Sequence, residues 1–177
     1  MSTATLVSLG EYLTTTYNPD LEYADGVLIQ RNVGTQLHSA LQFAVAAYFG
    51  PLSKDYGIKG FTECRLRMPG DRYYLPDVML VERPCARGKV VTDVPAVVIE
   101  IKSPDDRFDE ILEKCLDYEF LGVPNIVVLD PDFRRQYVFS AQALKLVPPL
   151  IPLHLPKANR YLMLPMDEMF AQMEDGE

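Results

Sequence analysis

The segment that constrains this chain most runs from Val94 to Ser103, Val-Pro-Ala-Val-Val-Ile-Glu-Ile-Lys-Ser, with Pro104 directly after it. It is rich in β-branched residues, and prolines bound it on both sides. It is too short for a membrane span and too β-prone for a helix, so it reads as a buried strand. Period-two geometry then places Val97, Ile99 and Ile101 on one face and Val98, Glu100 and Lys102 on the other. Burying an unpaired charge is expensive. The strand must therefore present its acid and its amine either into a cleft or to one another, from its C-terminal end.

The flanking sequence supplies the elements to pack around such a strand. Ser8-Leu9-Gly10-Glu11 has capping-box spacing and predicts a short helix from about residue 9 to 16. Asn18-Pro19-Asp20 ends it. Leu21 to Asp25 leads into the Asp25-Gly26 turn, and Val27-Leu28-Ile29 returns as a strand. Gly34-Thr35 opens a second helix with Leu37, Leu41, Ala44, Val45, Tyr48 and Phe49 at helical spacing, stopped by Gly50-Pro51. Thr62 to Met68 alternates and predicts a strand. Pro69-Gly70-Asp71 turns the chain, and Tyr73 to Val81 returns as a hairpin partner, with Pro76 marking an edge or a bulge. After the central strand, Asp105 and Asp106 supply N-terminal acids for a helix of about 14 residues, ended by Gly122 and Pro124. Asn125 to Asp130 is a further buried strand, Asp130-Pro131-Asp132 a turn, and Gln136 to Ser140 its returning partner. The tail holds Leu144 to Val147, several prolines and a short helix near Asp167 to Met173. This order predicts an α/β fold, a mixed central sheet flanked by helices. No linker divides it, so one domain over 1–177 is expected.

Composition narrows the function. At 177 residues with 48% apolar and 24% charged residues, the chain suits one folded core. The first residues lack the basic and apolar regions of a secretory signal, and no run approaches a membrane span. Three widely spaced cysteines (Cys64, Cys85, Cys115) and two histidines (His38, His154) form neither a disulfide framework nor a zinc motif. A reducing, cytoplasmic setting is expected, with no membrane and no organic cofactor. The net charge of −8 counts against non-specific binding of nucleic acid, which needs Lys and Arg against phosphates. It leaves room for a carboxylate-based metal site beside a local basic strip.

Asp77 lies 23 positions before Glu100, beside the proline of the preceding strand. If the two strands adjoin, Asp77 and Glu100 can share a hard divalent cation such as Mg²⁺, with Mn²⁺ as substitute, and the carbonyl of Ile101 can add a ligand. Lys102 could then orient or help deprotonate an attacking water, or stabilise charge developing on a phosphorane. The spacing alone equally admits an ordinary Glu100–Lys102 salt bridge at the end of a core strand.

Several landmarks, in order, tip the balance: Glu-Tyr-Ala-Asp-Gly (22–26), His38, Tyr-Leu-Pro-Asp-Val (74–78), Val-Ile-Glu-Ile-Lys-Ser-Pro (98–104), Lys114 with Tyr118, Gly-Val-Pro-Asn-Ile (122–126) and Leu-Asp-Pro (129–131). Together they resemble a bacterial restriction-endonuclease family, abundant in cyanobacteria, of the PD-(D/E)XK nuclease superfamily. The resemblance runs from about residue 8 to 170 and implies a restriction-endonuclease-like fold. It also implies metal ligation by Asp77 and Glu100, and Lys102 as the catalytic lysine. Many relatives lack a lysine at that position, and this chain keeps it.

Other residues carry two readings each. Glu63 could reach the metal from an adjoining strand, or be a solvated charge on a strand face beside Arg65 and Arg67. His38, in a stripe with Leu41, Gln42 and Val45, is an accessory group or a satisfied, partly buried core histidine. Arg107, Ile111, Lys114 and Tyr118 share a helical stripe that could touch phosphate and stack on a base; otherwise Lys114 pairs with Glu110 and Tyr118 is half-buried. Glu22 is an outer-sphere acid or a turn-flanking charge.

Two functions follow from different classes. One is a Mg²⁺-dependent endonuclease that hydrolyses DNA phosphodiesters with metal-activated water, as a homodimer, because cutting both strands needs two sites and a C₂ pair matches the symmetry of DNA. The other is a catalytically silent nuclease-fold module that binds nucleic acid or a partner.

Overall fold

Ser8 caps the first helix as its spacing predicts: its hydroxyl accepts the N–H of Glu11, and α1 runs Leu9–Thr14. The computed structural model describes residues 6–32 and 34–173, so residues 1–5, 33 and 174–177 of the expected 1–177 domain lie outside the described residues. Asp25 and Gly26, both at positive φ (50° and 93°), make the tight turn between β1 (Glu22–Ala24) and β2 (Val27–Ile29). Thr35 caps α2 (Gln36–Leu52), its hydroxyl accepting the His38 N–H.

The chain then crosses between two sheets. β3 (Ile58–Thr62) and β6 (Val78–Glu82) pair antiparallel, and so do β4 (Leu66–Met68) and β5 (Arg72–Tyr74). Next come β7 (Val97–Ile101), α3 (Phe108–Leu121), β8 (Asn125–Asp130), β9 (Arg135–Ser140), β10 (Ala143–Leu146), β11 (Leu150–Leu155), β12 (Arg160–Pro165) and α4 (Met166–Ala171). The larger sheet has the order β10-β9-β8-β7-β6-β3, with only β7 and β8 parallel. A four-stranded sheet, β2-β1-β5-β4, and the β11-β12 ribbon complete the structure.

Both faces of the central strand are buried, as its composition predicts. Val97, Ile99 and Ile101 pack with Leu41 and Val45 of α2, with β11 and β12, and with α4. Val98 packs on the opposite face with Ile111, Cys115 and Tyr118 of α3. Each large apolar side chain so buried contributes roughly 1.5–3 kcal/mol. The fold is the expected α/β class, a mixed sheet with helices on its two faces. Among the described residues no helix is long and apolar enough to cross a membrane.

Five details differ from expectation. Thr62 to Met68 is not one strand: the chain breaks at Glu63 (φ 47°), whose N–H donates to the Pro76 carbonyl. Tyr73 to Val81 breaks opposite it, because Pro76 has no N–H and the Leu75 N–H goes to the Glu22 carboxylate instead of a ladder partner. The Gly50-Pro51 stop is overrun to Leu52, with Pro51 in the last turn. Leu37 is exposed, and His38 takes the inward position beside it. Finally, the β11-β12 ribbon forms despite Pro152; a two-stranded ribbon leaves each strand a free edge, where a missing N–H disturbs least.

Candidate active site

The antiparallel pairing of β6 with β7 sets Val78 opposite Ile99 and Leu80 opposite Val97. One residue further along that register, Asp77 stands across from Glu100. Both carboxylates are buried, at 1% and 7% exposure, and both line a cleft of about 490 Å³. The cleft lies where β7 ends, between the β1–β2 hairpin and α3.

Asp77 is held from several sides. Arg31, just after β2, places its guanidinium Nη2 on Oδ1. Oδ2 accepts the Ile101 N–H at 2.7 Å, and His38 Nε2 lies 3.4 Å from the same oxygen. Burial alone would raise the Asp77 pKa, but His38, Arg31 and the Ile101 N–H outweigh it and hold the carboxyl below its usual range. The His38 imidazole shows the reciprocal effect: burial pulls its pKa down, and its hydrogen bond and attraction to Asp77 carry it above the ordinary value. His38 Nδ1 is buried without a hydrogen-bond partner among the described residues. His38 therefore belongs to the cleft rather than to the apolar core.

Glu100 is treated differently. Its Oε1 accepts the Tyr118 hydroxyl at 2.5 Å, but no ion pair reaches it among the described residues. Burial pushes its pKa up to about 7; attraction to Lys114 opposes this, and repulsion from Asp77 adds to it. The expected alternative, a Glu100–Lys102 salt bridge, does not form. Lys102 Nζ donates instead to the Ser103 carbonyl at 3.2 Å, and Lys102 lines the cleft half-buried.

Glu22 and Lys114 form the next layer. Lys114 Nζ donates to Glu22 Oε1 at 2.7 Å, and that same oxygen accepts the Leu75 N–H. The alternative Glu110–Lys114 pair is absent. Glu22 thus fixes the chain immediately before Asp77 and brings α3 to it. At the outer end, Asp117 binds the guanidinium of Arg72 and accepts from Tyr74.

Four expectations need correction. Tyr118 cannot stack on a base, because it is fully buried and its hydroxyl is committed to Glu100. Arg107 of the same stripe points away, onto Asp109, because α3 starts only at Phe108. The later start also moves the first-turn acids from Asp105 and Asp106 to Asp109 and Glu110. Glu63 does not line the cleft. It is exposed, 3.8 Å from Arg31 Nη1 and 3.5 Å from Gln42 Nε2, because the break at that residue turns it outward. Sequence reasoning missed Arg31 and the Arg72–Asp117 pair. Neither sits in a periodic stripe or motif that ties it to Asp77 or Glu100.

Among the described residues no group of three or more His, Cys, Asp or Glu is gathered as a metal cluster. Mg²⁺ does not require one, since it is commonly bound by one or two carboxylates with water and phosphate oxygens. The donors here are hard oxygens. N–H and C=O of one residue in a strand face the same edge, so the Ile101 carbonyl shares the edge on which its N–H meets Asp77. A buried Glu100 without a cationic partner is what a bound divalent ion would compensate, and the residues fit that group.

Comparisons with known proteins give the family and the fold. The family model Uma2, described as "Putative restriction endonuclease", matches residues 10–162. The crystal structure of a "putative nuclease belonging to DUF820" from Anabaena variabilis superposes with TM-score 0.77 at 23% identity, covering 95% of this chain and 99% of that one; it shows the same fold. A DrdV–DNA complex aligns with 63% of this chain and 12% of its own at 16% identity and TM-score 0.37, too low to bear on the fold. A search of curated proteins finds no match.

Proposed function

Because the chain belongs to the Uma2 family, restriction-endonuclease-like proteins, we propose that it is a metal-dependent endonuclease acting on DNA, built as one domain over 1–177 and working as a cytoplasmic homodimer. The observation that carries this is the pair of buried carboxylates, Asp77 and Glu100, opposite each other at the end of β7, with no ion pair on Glu100 among the described residues and Lys102 lining the same cleft.

In this reading Asp77, Glu100 and the Ile101 carbonyl would hold Mg²⁺ or Mn²⁺. Bound there, the ion would polarise a phosphoryl oxygen and lower the pKa of a water. Lys102 Nζ would orient an attacking water and neutralise charge developing on the phosphorus oxygens. Tyr118 keeps Glu100 aimed into the cleft through its hydroxyl. Glu22 and Lys114 hold the Leu75–Asp77 turn against α3, which makes them positioning residues. His38 orients Asp77 through Nε2.

Purified protein should nick plasmid DNA with Mg²⁺ or Mn²⁺ and not with EDTA. Asp77→Asn, Glu100→Gln and Lys102→Ala should each lower cleavage by about 10²-fold or more. Only the first two should weaken Mn²⁺ binding. Full cleavage by any of the three would overturn that residue's role. Light scattering should give a dimer at micromolar concentration. The second reading, a silent binding module, is favoured by Arg31, which already neutralises Asp77. Metal-independent DNA binding without cleavage would establish it instead.

A further inference from the structure

Three charged groups in the cleft already have carboxylate partners: Lys114 with Glu22, Arg72 with Asp117, and Arg31 with Asp77. Only the last lies on a candidate cation ligand. Arg31 also has a second carboxylate within 4 Å, Glu63 Oε1 at 3.8 Å, at the exposed rim. Its neighbour Asn32 donates through Nδ2 to Asp106 Oδ1 at 2.7 Å, on the far side of the cleft before α3. The segment 30–32 is therefore a strap across the mouth, tied down on one side by Arg31 and on the other by Asn32.

A guanidinium and a divalent cation cannot both sit against the same small carboxylate without strong repulsion. Asp77 has one oxygen on Arg31 and the other on the Ile101 N–H and His38, so the guanidinium sits on the oxygen that an ion would otherwise take. An arginine released there would remain in the cleft that Lys102 also lines, with the exposed Glu63 at 3.8 Å. Its planar donor fork matches a phosphodiester.

We propose that Arg31 is an exchangeable counter-ion: it neutralises Asp77 in the metal-free protein, yields Asp77 to the divalent cation, and then binds a substrate phosphate at the cleft mouth. The inference rests on the reading of Asp77 and Glu100 as cation ligands. It adds that metal binding and phosphate binding are coupled through one side chain.

Arg31→Gln tests it, with Mn²⁺ affinity read from the electron paramagnetic resonance of free Mn²⁺ and duplex affinity read by anisotropy. For the duplex, Ca²⁺ serves as the cation, since it takes the same oxygen ligands. The variant should bind Mn²⁺ about tenfold more tightly than the wild type and a short DNA duplex about tenfold more weakly at saturating Ca²⁺. A structural role alone would not move the two affinities in opposite directions. Mn²⁺ binding that is unchanged or weaker, while the wild type still binds Mn²⁺, overturns the exchange and leaves the metal site standing. Tighter Mn²⁺ with unchanged duplex affinity overturns the phosphate role. No Mn²⁺ binding by either protein overturns both this inference and the metal site. If the variant does not fold in EDTA, hydrogen exchange of the wild type decides: Mg²⁺ should speed exchange at 30–32 while slowing it in β6 and β7, and slowing at 30–32 overturns the proposal.

Discussion

Asp77 and Glu100 face each other across one cleft, yet the protein handles their charges in opposite ways. Around Asp77 it supplies a guanidinium, an imidazole and a backbone N–H, and the carboxyl is held ionised. Around Glu100 it supplies a phenol hydroxyl and apolar walls, and the carboxyl is pushed toward the protonated form. The Asp77 wall is a completed ion network. The Glu100 wall is a desolvated acid, partly offset by attraction to Lys114, that gains stability from an incoming proton or cation. A site built this way retains its shape without metal and still offers a reason for metal to bind.

The largest effect that could break this comparison is on stability. Asp77→Asn leaves the partly buried Arg31 and buried His38 facing a neutral amide, so it should destabilise the metal-free protein by about 3 kcal/mol, as broken buried pairs do. Glu100→Gln should act with the opposite sign. It removes a buried charge while its amide oxygen still accepts from Tyr118, and it should add about 2 kcal/mol above neutral pH. Chemical denaturation at pH 8 measures both. The same sign for the two variants would abolish the asymmetry.

A smaller effect lies in pH. The folded-state pKa of Glu100 is raised from 4.5 to about 7, so between these values the folded state keeps a proton that the unfolded chain releases. Stability from this group is present below about pH 4.5 and lost as pH rises through about 7. His38, also raised, adds a loss in the same direction as pH rises from 6.5 through its folded value. Asp77, lowered, loses its contribution only as pH falls below 3.8. Glu100→Gln should flatten the fall between 4.5 and 7 and leave the acid limb and the His38 portion. Smallest of all, Mn²⁺ affinity should rise by at most about tenfold per pH unit up to about 7, because the ion displaces one proton. Titration calorimetry from pH 5.5 to 8 would show a flat profile if Glu100 is not a ligand.

Much of this molecule is legible in its sequence. The run from Val97 to Ile101 could only be a doubly buried strand, and a chain cannot place Glu100 there without a cleft or a partner. The capping box at Ser8, the Asp25-Gly26 turn and Gly122 after α3 are local rules, and they hold locally. Failures came where a long-range contact competes with a local pattern. Alternation from Thr62 to Met68 predicts one strand, but the chain divides it between two sheets at Glu63, opposite the break at Pro76. Those two breaks turn Asp77 into the cleft and Glu63 out of it.

By itself, then, the sequence determined the helices, the central strands β7 and β8, and that an acid and an amine emerge together from the first of them, because hydrophobic periodicity and backbone sterics act within a few residues. Which charges meet was decided only by tertiary structure. Arg31 on Asp77, Tyr118 beneath Glu100 and Lys114 on Glu22 join residues 46, 18 and 92 positions apart. Such pairs are selected by burial in a shared low-dielectric space, where an unmatched charge costs several kcal/mol, and no local pattern in the chain encodes that space.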